Sequence, residues 1–315
     1  MTWKPTASIA HLKMRAEILA KIREFFAIRK VMEVETPSLS HSTIPDPCIL
    51  SFQVLNTDLY LQTSPEFAMK RLLAAGSGPI YQIAKAFRVD ESGRLHNPEF
   101  TMLEWYRPGF THRDLIIEVD ALLRRILNCE VSKCETYGDL FQQYLQINPY
   151  QTSLEELKDC AQKNQIEVFD AEKFTTVTDW LQLLMAHIIE PHLGQNHQPT
   201  VVTDFPIAQA ALAKADPYNP LVAERFEVYW KGMELANGFH ELCDAKEQRK
   251  RFEANNAERC AQGLPEIPLD ENFLAALEHG MPACAGVALG IDRLVMAALN
   301  LDNIADVIAF PVERA

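Results

Sequence analysis

Apolar positions recur at helical spacing over residues 8–29. Leu12, Ala16, Leu19, Ile22 and Phe26 form one side, with lysines and arginines between them. Ser8 stands where an N-cap belongs. The period then changes: Met32, Val34 and Thr36 share a face of an expected strand over residues 31–37, which ends at Pro37. Residues 38–58 read as loop, and residues 59–63 as a strand. Ser64, Pro65 and Glu66 then form a helix-start signal, Ser64 as N-cap and Pro65 as first helical residue, with Gly76 just past the end.

Tyr81 and Ile83 alternate with Gln82 and Ala84. Downstream, Phe100, Met102, Glu104 and Tyr106 alternate with Thr101, Leu103 and Trp105. A hairpin is expected, turning at Ser92-Gly93, with Arg88 near the end of its first strand. A helix follows from Thr111, with Asp114 completing a capping box, through Leu127. Residues 130–200 read as a helical insertion within a single 1–315 catalytic domain. Ser153 with Glu156 is a second capping box, and Trp180, Leu181, Leu184, Met185 and Ile188 mark a further helix.

Strand patterns return at residues 201–205 and 225–242, with a turn at Lys231-Gly232. Glu234 and Glu241 are seven apart, so an unbroken strand turns them to opposite faces. They can serve one site only if the strand is interrupted, and Asn237-Gly238 is the expected break. Asp244 with Glu247 opens a polar helix. Residues 284–299 read as strand, glycine turn and helix, with Asp292-Arg293 at the helix start.

Composition narrows the function. The 315 residues are 48% hydrophobic, enough for a substantial core, and no run of 18 apolar residues suggests a membrane span. The N-terminus lacks the apolar centre of a signal peptide. Seven cysteines without a CxxC pair suggest reduced thiols in the cytoplasm, and Cys129 with Cys134 reads as incidental. His187, His192 and His197 read as surface or core histidines. The net charge of −13 argues against tRNA as the main partner and suits a basic protein partner better. The one dense basic cluster, Arg249-Lys250-Arg251, reads as a solvated helix face.

FRVDESGRLHNPEFTMLEWYR, residues 87–107, resembles motif 2 of class II aminoacyl-tRNA synthetases in its lysyl form. The first helix and the strand ending at Pro37 resemble motif 1, the dimer interface of that family. GVALGIDR, residues 286–293, resembles motif 3, and Thr63-Ser64-Pro65-Glu66 matches the lysyl-type substrate corner. The resemblance implies an α+β fold, a mostly antiparallel sheet flanked by helices, in a homodimer. It implies ATP activation of a carboxylate as an adenylate, a reaction suited to positioning and cations. Arg88 is then expected to hold the α-phosphate and the carboxylate, and Arg293 the γ-phosphate, because a guanidinium fork matches phosphate oxygens. Val89, Asp90, Asn97, Leu235 and Gly290 are expected at the nucleotide, and Glu234 and Glu241 at Mg²⁺.

Ser64, Pro65, Glu66, Glu104, Tyr106 and Glu241 are expected to take a substrate with two amino groups, lysine or (R)-β-lysine. Two positions depart from the family pattern. Asp90 replaces the usual Glu of Arg-x-Glu, with Glu91 as a possible substitute, and Ala288 stands where lysyl enzymes have Gly. The first helix begins near residue 8, which leaves no room for the anticodon-binding domain. The resemblance is therefore to free-standing paralogues that pass the acyl group to a lysine ε-amine of elongation factor P. A tRNA-charging enzyme and a non-catalytic amino-acid-binding paralogue are the alternatives.

Overall fold

A computed structural model describes residues 3–89, 92–168 and 174–315. Asp90 and Glu91 lie outside the described residues. The chain clusters into two units, Met1–Thr111 with Glu241–Ala315, and His112–His240.

The first unit opens with α1, Ile9–Ile28, capped by Ser8, whose hydroxyl accepts from the His11 N–H at 3.1 Å. Its buried residues are Ile18, Ile22, Phe25 and Phe26, while Ala16 is exposed and Leu12 and Leu19 are half-buried. The expected apolar face is thus displaced. The reason is polar: Arg15 turns inward to Asp292 at 2.6 Å and to the Thr101 hydroxyl at 2.9 Å. Phe26 stacks on Tyr81 with ring centres 4.4 Å apart and meets Trp105 edge-on.

The expected strand at 31–37 shrinks to β1, Met32–Glu33. Past it, the Val34 N–H still reaches the Tyr81 carbonyl, and the Thr36 hydroxyl donates to the Gln82 side chain at 2.9 Å. A side-chain bond replaces the ladder there, and Pro37 has no N–H to continue it. β2, Leu39–Ser40, pairs with β3, Tyr60–Leu61, so the stretch read as loop contains a short strand. α2, Glu66–Ala74, starts one residue later than expected, with Pro65 as its cap. Gly76 has φ 87°, the left-handed conformation that suits glycine just past a helix end.

β4, Ile80–Phe87, and β5, Glu99–Pro108, form the expected hairpin, in register from Ile80 opposite Tyr106 to Phe87 opposite Glu99. Its tip turns at Arg94-Leu95, not at Ser92-Gly93. Gly93 and His96 exchange backbone hydrogen bonds, which makes Gly93 a rung of the hairpin. Both faces of β5 are buried: Leu103 and Trp105 on the apolar side, Glu104 and Tyr106 on the other.

The second unit begins with α3, His112–Leu127, which ends where expected and whose buried side includes Leu115, Val119, Leu122 and Leu123. β6, Lys133–Thr136, leads to α4, Tyr137–Leu145. α5, Leu154–Lys163, carries the expected Ser153–Glu156 capping box, and α6, Val177–Leu184, carries another from Thr176 and Asp179. These helices pack an apolar cluster around Tyr137, Phe141, Trp180 and Leu184. β7, Thr200–Pro206, β8, Val222–Trp230, and β9, Met233–His240, complete strand order β9-β8-β7-β6, with only β6 and β7 parallel. Lys231 and Gly232 both have positive φ at the β8–β9 turn.

β9 is interrupted, at Leu235 and not at Asn237-Gly238. Val228 faces Ala236 while Tyr229 faces Glu234, so Leu235 is the extra residue. Asn237 stays in the ladder opposite Glu227, its side chain accepting from Arg225 at 3.3 Å. The bulge places Glu234 with Asn237 and Phe239 on the half-buried face.

The chain returns to the first unit through α7, Ala245–Ala261, capped by Asp244 as expected. Arg249 pairs with Glu271 at 2.6 Å and Arg251 with Glu247 at 3.1 Å, so acidic partners offset two cations of the basic cluster. α8, Glu271–Gly280, precedes β10, Cys284–Gly290, and α9, Ile291–Leu299. The unit's strand order is β1-β4-β5-β10, with Gly286 opposite Tyr106 and Ala288 opposite Glu104. Helices flank mostly antiparallel strands in both units, which is the expected α+β class.

Asp292 joins three elements. It pairs with Arg15 of α1 and accepts from the Thr101 N–H of β5 at 2.7 Å, while standing in α9. Asp292→Ala leaves the mostly buried Arg15 without its counter-ion, which costs about 3 kcal/mol. Urea unfolding is expected to show that loss, and a smaller one for Asp292→Asn, which keeps an acceptor for Thr101.

Candidate active site

The start of α2, the charged face of β5, Glu241 and Gly286 of β10 converge in the first unit. The Ser64 hydroxyl accepts from the Glu66 N–H at 3.1 Å and donates to Glu104 Oε2 at 2.6 Å. The Tyr106 hydroxyl donates to Glu104 Oε1 at 2.6 Å. Lys70, one turn beyond Glu66 on α2, is fully buried. Its Nζ lies 2.6 Å from Glu66 Oε1 and 2.6 Å from Glu241 Oε2. The Glu241 N–H is fixed to the Cys284 carbonyl at 3.0 Å.

Gly286 makes this convergence possible. A Cβ there would lie 2.3 Å from the Tyr106 ring and 2.4 Å from Glu241 Oε1. Its neighbour two residues on, Ala288, sits beside the same face. A cavity of about 440 Å³ opens at the Ser64-Pro65-Glu66 corner, with His41, Arg71 and Asp270 also on its walls.

Three carboxyl groups share this corner with one ammonium. Burial raises Glu104 to about 7, with the charge of Glu66 adding to it and Ser64, Tyr106 and Lys70 opposing. Burial likewise raises Glu241 to about 8, with Lys70 opposing. Burial alone would strip the Lys70 proton, but Glu241 and Glu66 together hold the ammonium well above its ordinary range. Burial, then Glu104, pushes the Tyr106 phenol well up, so it stays a donor. The arrangement accepts positive charge from outside, because the one internal cation is outnumbered.

The motif 2 and motif 3 residues meet at the hairpin tip. Arg293 Nε donates to the Leu95 carbonyl at 3.4 Å, and its Nη2 lies 2.5 Å from His96 Nε2. The Arg88 guanidinium lies 5.1 Å from the centre of the Phe100 ring, and the Arg88 backbone N–H donates to the Pro98 carbonyl. The Val89 N–H donates to the Leu50 carbonyl. Asn97 is buried and bridges backbone, donating to the Glu99 carbonyl at 2.6 Å and accepting from the Val312 N–H at 3.0 Å. Gly290 caps α9, and a Cβ there would meet nothing closer than 3.8 Å, so packing alone does not demand glycine.

The structure thus brings Ser64, Pro65, Glu66, Glu104, Tyr106 and Glu241 to one corner. Glu234 and the buried Leu235 belong to the second unit. Sequence reasoning missed Lys70 and Gly286. The spacing of Lys70 four residues after Glu66 was a visible signal. Gly286 could be found only by knowing that it faces Tyr106.

A hairpin of this type, docked onto an Asp-Arg helix start and set beside a carboxylate corner, defines a class II synthetase core. The family described as tRNA synthetases class II (D, K and N) matches residues 2–314, and the chain belongs to it. Among its relatives, the elongation factor P–(R)-β-lysine ligase of Proteus mirabilis is 52% identical over 322 residues, covering 99% of this chain and 98% of that one. The proteins of the same name from Pectobacterium carotovorum and Salmonella dublin are each 50% identical, covering all of this chain and 98% of theirs.

Glu104 and Glu241 hold protons in the folded chain up to about 7 and about 8, against an ordinary 4.5. Their contribution to stability is complete below 4.5 and is lost as pH rises through those values. Denaturant midpoints of the ligand-free protein are expected to fall across that window. Lys70→Met removes the only cation of the cluster and costs about 3–5 kcal/mol. The window then moves to higher pH, because nothing opposes the burial of Glu241.

Proposed function

We propose that this protein is an ATP-dependent, AMP-forming ligase that activates (R)-β-lysine, or lysine, and transfers it to a lysine ε-amine of elongation factor P. The observation that carries the reading is the corner of buried Glu104 and Glu241 with half-buried Glu66, where a single Lys70 bridges Glu66 and Glu241. A diamino acid brings two ammonium groups to a corner whose buried carboxyls, Glu104 and Glu241, give up their protons when a cation comes to meet them. An acidic or apolar amino acid finds no complement there. The names of full-length relatives at 50–52% identity support the same substrate and acceptor.

In this reading Glu66 and Ser64 meet one amine, and Glu104, Tyr106 and Glu241 the other. Arg88 holds the substrate carboxylate against the α-phosphate, so charge building on phosphorus meets a fixed guanidinium. Arg293 holds the γ-phosphate, and Val89, Asn97 and Gly290 lie along the nucleotide. Mg²⁺ suits the hard oxygens of Glu241 together with the phosphates. Glu241 shares in that role through the oxygen that Lys70 does not hold.

A second copy is proposed to cover the apolar side chains that α1 and the segment after it leave exposed, Ile28, Met32 and Leu39. The seven cysteines stand as thiols, which suits a cytoplasmic enzyme. Among the described residues no helix is long and apolar enough to cross a membrane.

ATP–pyrophosphate exchange without acceptor tests the reading. Exchange is expected with (R)-β-lysine above lysine, and Arg88→Ala is expected to lower it about 10²–10³-fold. Purified elongation factor P should then gain one lysyl-type mass. Exchange followed by acylation of tRNA alone overturns the choice of acceptor, and no exchange with either amino acid overturns the ligase.

A further inference from the structure

The second unit holds a separate concentration of ligating side chains. His112 opens α3, Glu224 lies on β8 and His240 ends β9, and one ligand atom from each lies within 4.8 Å of the other two. The two histidines are also the first and last residues of this unit.

Both imidazoles are buried, His112 being 4% and His240 8% exposed. His240 Nδ1 lies 2.8 Å from Glu224 Oε2. His112 Nδ1 lies 3.9 Å from Glu224 Oε1, beyond hydrogen-bond reach, and has no hydrogen-bond partner. An orphaned buried nitrogen costs about 1–3 kcal/mol, and this one faces a carboxylate and a second imidazole. Burial drives His112 down to about 4, which keeps its lone pair available. Lys214 Nζ sits 3.1 Å from Glu224 Oε2, but its side chain is 36% exposed and has a route to water. Asp114 and Asp216 add negative charge around the cluster, and Arg113 opposes them.

We propose that His112, Glu224 and His240 form a binding site for a late first-row divalent cation, Zn²⁺ by ligand chemistry. Two imidazoles and one carboxylate are a donor set that zinc takes, with a water as fourth ligand. Imidazole nitrogens disfavour Mg²⁺ and Ca²⁺, so this site is chemically distinct from an ion held by carboxylates and phosphates. Closing the ligands to about 2.0–2.2 Å from the ion expels the Lys214 ammonium from Glu224. The ion then ties the start of α3 to the end of β9, the two places where the chain enters and leaves the unit.

The test is Zn²⁺ titration of chelator-stripped full-length protein against a chromophoric chelator, with Co²⁺ substitution as a spectroscopic reporter. One equivalent is expected, with the visible bands of tetrahedral cobalt. His112→Gln and His240→Gln are each expected to weaken binding at least about tenfold, since losing even an outer partner of a ligand costs about that much. Lys214→Met, which removes the competing cation, is expected to tighten it. An equivalent retained at unchanged affinity in the folded His112→Gln/His240→Gln protein overturns the site, as does no binding by the parent. Should the histidine variants fail to fold, Lys214→Met decides: unchanged affinity also overturns it.

Discussion

Lys70 is the side chain on which the active-site corner depends. A fully buried ammonium is stable only with carboxylates in contact, and here it has two, one from its own helix and one from the segment after β9. The pair of contacts fixes the start of α2 against Glu241. That in turn fixes Ser64, whose hydroxyl reaches across to Glu104. Each carboxylate in the corner is therefore oriented before any ligand arrives. Preorganisation of this kind lets a diamino acid bind without reordering the pocket.

The same crowding explains why small residues line the strand opposite. β10 passes Tyr106 and Glu104 at Gly286 and Ala288. Gly286 admits the Tyr106 ring and Glu241 into space that any side chain would fill. Ala288 leaves a methyl on the wall beside Glu104, where a methyl can be worth about 1–3 kcal/mol of discrimination between similar ligands.

The nucleotide side rests on a different device. Asp292 is buried and spends its carboxylate on Arg15 and the Thr101 amide, so it acts as a bolt between α1, β5 and α9. The adjacent Arg293 is thereby held at the helix start, facing the Leu95-His96 tip of the hairpin. An Asp-Arg dipeptide thus divides its work, the acid anchoring the helix and the base reaching the hairpin tip. Asn97 also serves the scaffold, since its amide joins two backbone segments.

The sequence by itself determined the longer elements, because period and capping chemistry are local, but not the short strands β2 and β6, which pairing with distant strands decides. Ser8, Ser153 and Asp244 cap the helices they were expected to cap, and the hairpin alternation of residues 81–106 is the observed ladder. The acidic side chains of the corner were expected from the resemblance to class II synthetases, and the fold brings them together. Tertiary structure decided what each polar group is spent on. Arg15 displaced the apolar face of α1, Asn237 kept its place in the ladder and moved the β9 bulge to Leu235, and Lys70 became a counter-ion instead of a surface charge. Those outcomes turn on partners tens to hundreds of residues away, and no local pattern records the desolvation that makes such partners obligatory.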